Sequence, residues 1–448
     1  MSDIYKKFLN DNLNLLDIVV SMYSMQCISG ELEISNHTYI TNQPYFVSSY
    51  LSTVAINNSV IHDITSDGSI FSLTDTAATM NNIEVYNLHT DGTGNFILLS
   101  FGSEAVISNI TYTNSALKFI ESLSSKLQIT SLVSKNITLT QYLISYTDSM
   151  NIVMQDVMIY DISSTYNYLI YATGSSIDQI MNMTAHDINV SIFHILKSNA
   201  TLIDNLHAFS IPECIYAKQS SIGLLQNSRI YRSGSANKLQ GGAMLIENSN
   251  STMQNMTFEY NVAKSGGAIY INCDSYDICR NLISNSTFSD NTAIQQGGAI
   301  YYNYRRPELS DITFNNNDAL YGPDIGSYPV RIVDSEMIDE PIVLTNVASG
   351  IVYNETLKLL LVDYDGQTMN LVNNSQIKIS PVTSGASLLG VDYSVLVNGE
   401  ATFDTLQFVY APGQDNIQFI ATSDLIDSNK VSYLSLPTND SIDVSFRY

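Results

Sequence analysis

The chain has no tryptophan, only 9 prolines and 4 cysteines among 448 residues, and just 14% of it is charged. An ordinary soluble sequence is about a quarter charged. Acidic disordered chains are also poor in apolar residues, whereas this one is 45% hydrophobic, so composition predicts a folded protein. No run of 18 apolar residues occurs, so no membrane-spanning helix is expected. The opening stretch lacks the apolar centre of a signal peptide, because Asp11, Asn12, Asn14 and Asp17 interrupt it. Cations are scarce as well. Nineteen basic against 43 acidic residues give a net charge of −24, which would repel phosphate and argues against nucleic acid or an anionic membrane as partner.

What is abundant points to strands and turns. There are 43 Asn and 29 Tyr, with many Ser and Thr. Asn, Ser and Thr disfavour helix interiors because their side chains compete for backbone hydrogen bonds, while Ile, Val, Tyr and Thr suit pleated strands. A short unit recurs thirteen times: LDIVV, SNHTY, NNSVI, NNIEV, SNITY, TSLVS, QDVMI, MNMTA, DNLHA, QNSRI, QNMTF, SNSTF and SDITF. Its second residue is Asp17, Asn36, Asn58, Asn82, Asn109, Ser131, Asp156, Asn182, Asn205, Asn227, Asn255, Asn285 or Asp311, and its fifth is apolar in every copy but one. Spacings run from 19 to 30 residues and average 24.5. A second apolar run follows each unit, as in Phe96–Leu99 or Ala268–Ile271. Leucine-rich repeats would need regular leucines and a helical return, and propeller blades about forty residues per unit. The remaining solution is an all-β fold, a right-handed parallel β-helix (a pectin-lyase-like solenoid) over residues 1–335 with about 13 coils.

Stacked coils bring equivalent residues to about 4.8 Å of one another. The asparagines Asn36, Asn58, Asn82, Asn109, Asn182, Asn205, Asn227, Asn255 and Asn285 are therefore expected to form an amide ladder at a left-handed corner. Open coil ends expose strand edges, and a capping helix through Ile4, Phe8, Leu15 and Leu16 is the expected cover at the amino end. Cys273 and Cys279 bracket five residues and are expected to pair in a disulfide, since no His or further Cys stands near enough for a zinc site. A disulfide places the chain in an oxidising compartment. With no signal sequence visible, the expectation is a piece of a longer membrane-anchored protein. Thirteen Asn-x-Ser/Thr sites occur, and Asn109, Asn136, Asn250, Asn285 and Asn354 are candidate glycosylation positions.

Residues 241–332 sharpen the repeat into GGAM (Gly241–Met244), GGAI (Gly266–Ile269) and GGAI (Gly297–Ile300). These alternate with FEYN (Phe258–Asn261), FSDN (Phe288–Asn291) and FNNN (Phe314–Asn317). The pattern resembles the GGA[ILV] and FxxN repeats of polymorphic outer membrane proteins and of similar β-helix surface proteins in ciliates and other protists. That resemblance implies a secreted or surface-displayed, adhesive or structural, non-catalytic protein with protein or carbohydrate ligands. Residues 345–448 alternate as longer strands with Asp365-Gly366 and Asn398-Gly399 turns, which predicts an immunoglobulin-like β-sandwich. The run NGEATFDTLQF…APG resembles invasin-type immunoglobulin-like modules.

Few residues suggest chemistry. β-Helical hydrolases need paired carboxylates, yet neither Asp-Asp nor Gly-His-Gly occurs. Arg305-Arg306 beside Glu308 and Asp311 is the one lyase-like grouping. His62, His89, His186, His194 and His207 read as coil-face residues. Asp63, Asp161 and Asp187 suggest an acidic stripe with weak calcium affinity, and no other cofactor is expected. Tyr86, Tyr112, Tyr160 and Tyr231 recur in a way that suits stacking on sugar rings or ordinary packing. The expectation is thus a chain without enzymatic activity, an extracellular or cell-surface structural or adhesive module. The alternative is a carbohydrate-active β-helix enzyme, a polysaccharide lyase or glycoside hydrolase.

Overall fold

Alternating apolar residues bounded by Asn, Asp and Ser make each repeat two strands: a short one, then a long one bent at its corners. In the computed structural model, which describes residues 7–9, 12–16, 20–21, 25–35, 38–40, 47–90, 92, 94–275, 279–338, 340–434 and 441–447, these strands stack in parallel register. The short strands, among them Asn95–Ser100, Tyr168–Thr173, Ser191–Leu196, Ile215–Lys218 and Met244–Glu247, form one 14-stranded sheet. The long strands, such as Ser176–Ile188, wrap round the other side. Together they make a right-handed parallel β-solenoid of about 11 turns. Eleven of the thirteen repeat positions lie in it. The other two, Asp17 and Asn36, fall outside the described residues.

The repeated second residue is the corner. Asn58, Asn82, Asn109, Ser131, Asp156, Asn182, Asn205, Asn227, Asn255, Asn285 and Asp311 all have φ between 46° and 58°. This left-handed backbone is unfavourable for most L-residues and tolerated by Asn and Asp. A second left-handed corner runs from Asp63 through Asn87, Asn114, Asn136, Asp161 and Asp187. Between corners, side chains alternate. Ile56, Ile83, Ile110, Leu132, Val157, Met183 and Leu206 are each at most 2% exposed and fill one continuous core. Burying each such side chain contributes roughly 1.5–3 kcal/mol.

A third corner follows each short strand and carries a column that sequence reasoning did not single out. Ser125, Ser149, Ser175, Ser198, Ser220 and Ser249 point inward and are buried. Ser149 Oγ accepts the Ser125 amide at 3.3 Å, and the bond repeats from Ser149 to Ser175 (3.1 Å), Ser175 to Ser198 (3.0 Å), Ser198 to Ser220 (3.2 Å) and Ser220 to Ser249 (3.0 Å). Each hydroxyl also donates to a carbonyl two residues earlier, as Ser175 does to Thr173 at 2.9 Å. Buried backbone amides freed by the sharp corner are thereby satisfied.

From residue 233 a third short sheet is added, formed by Val262–Ser265, Thr292–Gln296 and Asp318–Tyr321. The FxxN and GGA motifs build it. Phe258, Phe288 and Phe314 stack, with ring centroids 4.9 and 5.4 Å apart. Asn261, Asn291 and Asn317 are interior: Asn261 Nδ2 donates to Asn291 Oδ1 at 2.9 Å, and Asn291 Nδ2 to Asn317 Oδ1 at 3.0 Å. In each doublet the first glycine turns the chain (Gly266, φ 64°), and the second lies against the next coil. A Cβ on Gly267 would sit 2.1 Å from the Gly298 carbonyl oxygen.

The amino end differs from expectation. Lys7–Leu9 and Asn12–Leu16 are strands, paired in parallel with Met25–Ile28 and Glu31–Ser35. Leu15 and Leu16 are therefore part of a coil instead of a capping helix, because parallel pairing satisfies their backbone groups directly. Ile4 lies outside the described residues. After Gly326 the solenoid ends, and pairing becomes mostly antiparallel, with Ile342–Val347 and Ser441–Phe446 still parallel. Arg331–Asp334, Leu357–Val362 and Glu400–Phe403 form an antiparallel sheet. A five-stranded sheet, whose long strands are Ile342–Val347, Gln376–Pro381, Ile417–Ser423 and Ser441–Phe446, covers it as a β-sandwich around Leu359, Phe408 and Phe419. Cys273 and Cys279 are disulfide-bonded with Cα atoms 6.0 Å apart, and Cys27 and Cys214 are buried free thiols.

Replacing Gly267 with Ala is expected to lower stability by about 2 kcal/mol or more, since the clash is with backbone of the next coil that has no rotamer to move. Gly92→Ala, whose Cβ would meet nothing closer than 3.7 Å, should stay within about 0.5 kcal/mol of the parent. Denaturant unfolding of both variants checks this.

Candidate functional site

The sequence-selected residues are mostly architectural in position. Asn82 Nδ2 donates to Asn58 Oδ1 (2.8 Å), Asn182 to Asp156 (2.8 Å), Asn205 to Asn182 (2.9 Å) and Asn255 to Asn227 (3.0 Å). Asn109 and Asn227 instead reach the residue before the corner, Asn81 and Asp204, both at 2.9 Å. These bonds are on the solvent side, where each contributes only about 0.5–1.5 kcal/mol. Of the candidate glycosylation positions, Asn136 donates to Asn114 at 2.6 Å and Asn250 Oδ1 accepts the Arg280 amide at 2.7 Å. Asn285 and Asn354 are exposed.

The Arg305-Arg306 grouping is dispersed. Arg306 makes a bidentate pair with Asp365 of the carboxy-terminal module (2.8 Å to one oxygen and 3.2 Å to the other), Arg305 reaches Glu308 at 3.4 Å, and Asp311 is a corner residue. The acidic stripe is also used structurally, since Asp63 Oδ1 accepts Asn87 Nδ2 at 2.9 Å and its other oxygen contacts His62 at 2.7 Å. Among the described residues no group of three His, Cys, Asp or Glu side chains is placed to hold a metal. The tyrosines separate by register. Tyr112 is fully buried and its hydroxyl donates to the Leu117 carbonyl at 2.7 Å. Tyr160, His186, Phe209 and Tyr231 form an outward column, 4.6–5.2 Å apart and within 16° of parallel. Their faces cover one another, leaving ring edges to solvent.

A different cluster has the properties of a site. It lies on the outer face of the short-strand sheet, where register aligns Tyr171, His194 and Tyr216 on successive coils, with Tyr168 beside Ser191. The His194 ring is enclosed by Tyr168 (centroids 4.2 Å), Tyr216 (4.7 Å, stacked) and Tyr171 (5.2 Å, edge-on). Both of its nitrogens are buried without a hydrogen-bond partner. Burial, helped by the Lys218 charge, holds its pKa down to about 4, so it is a neutral imidazole at neutral pH.

Two carboxylates stand beside these tyrosines. Glu247 accepts the Tyr216 hydroxyl at 2.7 Å and pairs with Lys218 at 3.0 Å. Glu213, 2% exposed, accepts Ser191 Oγ at 3.2 Å and pairs with Lys238 at 2.9 Å. Burial outweighs these contacts and pushes its pKa up to about 7, in the range suited to proton transfer at neutral pH. Burial, with the nearby charges of Glu213 and Glu247, also raises the Tyr168 phenol to about 12. Lys238 comes from the first of the longer coils. Phe193 and Ile215, 22 residues apart, are register partners, but Ile215 and its next partner Met244 are 29 apart, and the extra residues bring Lys238 to Glu213. Sequence reasoning placed His194 among plain coil-face residues and missed Glu213. The irregular spacing of this coil was the available signal.

Residues 142–319 match the family described as "Right handed beta helix region". No curated protein matches the chain in sequence. Among solved structures, the chain is similar to the A-module of the Azotobacter vinelandii mannuronan C-5 epimerase AlgE6 (13% identity, TM-score 0.33, covering 66% of this chain and 89% of that one). The AlgE4 A-module from the same organism gives 12% identity and a TM-score of 0.24, covering 68% and 91%. Both are named as mannuronan C-5 epimerase modules, so the expectation of a chain without enzymatic activity does not stand, while likeness at this level leaves the chain's own activity undecided. Likeness this low transfers no residue, so the chemistry rests on the side chains above. The likeness to polymorphic outer membrane proteins reduces to the parallel β-helix itself.

His194 and Glu213 impose opposite pH dependences. His194 has a lowered pKa, so its contribution to stability is complete above about 6.5 and is lost as pH falls through about 4. Glu213 has a raised pKa, so its contribution is present below about 4.5 and lost as pH rises through about 7. Thermal unfolding across this range is expected to show His194→Phe losing the acid-side decline in Tm and Glu213→Gln losing the decline toward neutrality.

Proposed function

We propose that this protein is a carbohydrate-active β-helix enzyme that engages a polysaccharide on the outer face of the short-strand sheet. The carrying observation is the meeting of a near-neutral buried carboxyl, Glu213, with a neutral imidazole, two phenols and two lysines across neighbouring coils. Glu213 is the proton-exchanging group, tuned by burial against Lys238. Tyr168 remains protonated and serves as a hydrogen-bond donor, and the Tyr216–Glu247–Lys218 set fixes the adjoining sugar hydroxyls. Because the neighbouring rings stack on one another, recognition relies on phenol hydroxyls and ring edges more than on open aromatic faces. The Cys273–Cys279 disulfide supports an oxidising, extracellular or surface location.

Incubation of the purified chain with a panel of neutral and uronate-containing polysaccharides is the direct test, read as new reducing ends, unsaturated ends or altered uronate configuration. At least one substrate should turn over, and Glu213→Gln should lose about 10²-fold or more of that activity with unchanged unfolding behaviour below pH 5. Absence of any product across the panel, or full activity in Glu213→Gln, would overturn the reading.

A further inference from the structure

A second feature of the same sheet does not depend on the proposed enzymatic role. Tyr142 and Tyr166 lie in the loops entering two successive short strands, Ile144–Thr147 and Tyr168–Thr173. The Tyr142 hydroxyl donates to the Tyr166 hydroxyl at 3.0 Å, and their ring centroids are 4.4 Å apart at 70°. Tyr171 stacks on Tyr142 at 4.7 Å. Tyr166 is 42% exposed, within reach of a large oxidant. Other close pairs lack one of these properties: Tyr270 and Tyr301 stack at 5.2 Å, but Tyr301 is only 9% exposed, and the Tyr304 and Tyr328 centroids are 6.5 Å apart.

We propose that Tyr142 and Tyr166 form a modification site, an oxidative dityrosine cross-link joining adjacent coils. The co-reactant is hydrogen peroxide used by a haem peroxidase. Each phenol gives up one hydrogen atom, leaving two phenoxyl radicals with spin density on oxygen and on the ring carbons beside it. A carbon–carbon bond forms between two of those ring carbons, and the displaced ring protons return to the phenol oxygens as the rings regain aromaticity. In total two hydrogen atoms leave the protein and reduce one peroxide to two waters.

Two facts beyond proximity direct a one-electron oxidant here. The chain has no tryptophan to compete for the oxidising equivalent. It also offers no accessible thiol, since Cys27 and Cys214 are buried and Cys273 and Cys279 are already paired. The existing Tyr142–Tyr166 hydrogen bond provides a route for the phenolic proton. The product would tie two coils covalently, restricting the unfolded chain as a disulfide does.

The test uses the full chain with a haem peroxidase and limiting peroxide. Dityrosine fluorescence should develop, and peptide mapping should find the peptides carrying Tyr142 and Tyr166 joined with the loss of two hydrogens. The treated chain should unfold at a higher temperature. Tyr166→Phe should abolish most of the intrachain product, and the parent treated in denaturant should lose the preference for this pair. Cross-links scattered over many tyrosines, purely intermolecular products, or an undiminished yield in Tyr166→Phe would each overturn the proposal. Circular dichroism of Tyr166→Phe separates loss of the pair from loss of the fold.

Discussion

Everything in this molecule depends on one constraint, the parallel, in-register pairing of each coil with the next. Because equivalent residues of successive coils are direct neighbours, any property of one position is repeated down the axis. A charge would meet its like, a bulky corner its own copy, and an unsatisfied amide another unsatisfied amide. The solenoid answers each problem with a column. Left-handed corners run through Asn58 to Asp311, buried serines through Ser125 to Ser249, and interior asparagines through Asn261 to Asn317. Low charge density follows from the same rule, since ionised neighbours in register would repel.

The columns also explain why the proposed chemistry falls on one patch. Where the repeat is regular, outward rings such as Tyr160, His186 and Phe209 are absorbed in stacking on each other. The patch around His194 departs from regularity, because the lengthened coil after Ile215 brings Lys238 over Glu213. A buried carboxyl and a ring-enclosed imidazole then both border Tyr168, with opposite displacements of their proton affinities. In a repeat protein, function can enter where the period is broken, because only there do unlike groups become neighbours.

The carboxy-terminal sandwich is joined to the last coils by polar contacts of a different kind. Arg306 is paired with Asp365, the Tyr321 hydroxyl with buried Asp363, and Gln367 Nε2 with the Ile325 carbonyl at 2.7 Å. Lys430 reaches Asn303 at 2.8 Å and lies 5.0 Å from the rings of Tyr304 and Tyr328. Arg306 thus helps hold the two modules together, while Arg305 stays paired with Glu308 of the solenoid.

The fold was legible in the sequence because its signal is local and repeated: one Asn or Asp per coil, apolar alternation beside it, and Gly-Gly where Gly267 must touch Gly298. A residue that obeys the period announces its face. Three things escaped that reading. The serine column blends into a Ser-rich composition, and its role depends on amides of the neighbouring coil. Tyr112 and Tyr160 group as one recurrence, yet Tyr112 is the fifth residue of its unit and Tyr160 the one after the fifth, so one turns inward and the other outward. Glu213 and Lys238 are 25 positions apart in a region where spacing fails, so their meeting depends on how a longer coil closes over its neighbour. The sequence by itself determined the strand period, the corners and the core, because those are set by adjacent residues and by repetition. Only the tertiary structure decided which polar groups are shut away from water together, and with that their proton affinities, because burial and the distance between coils are properties of the stack.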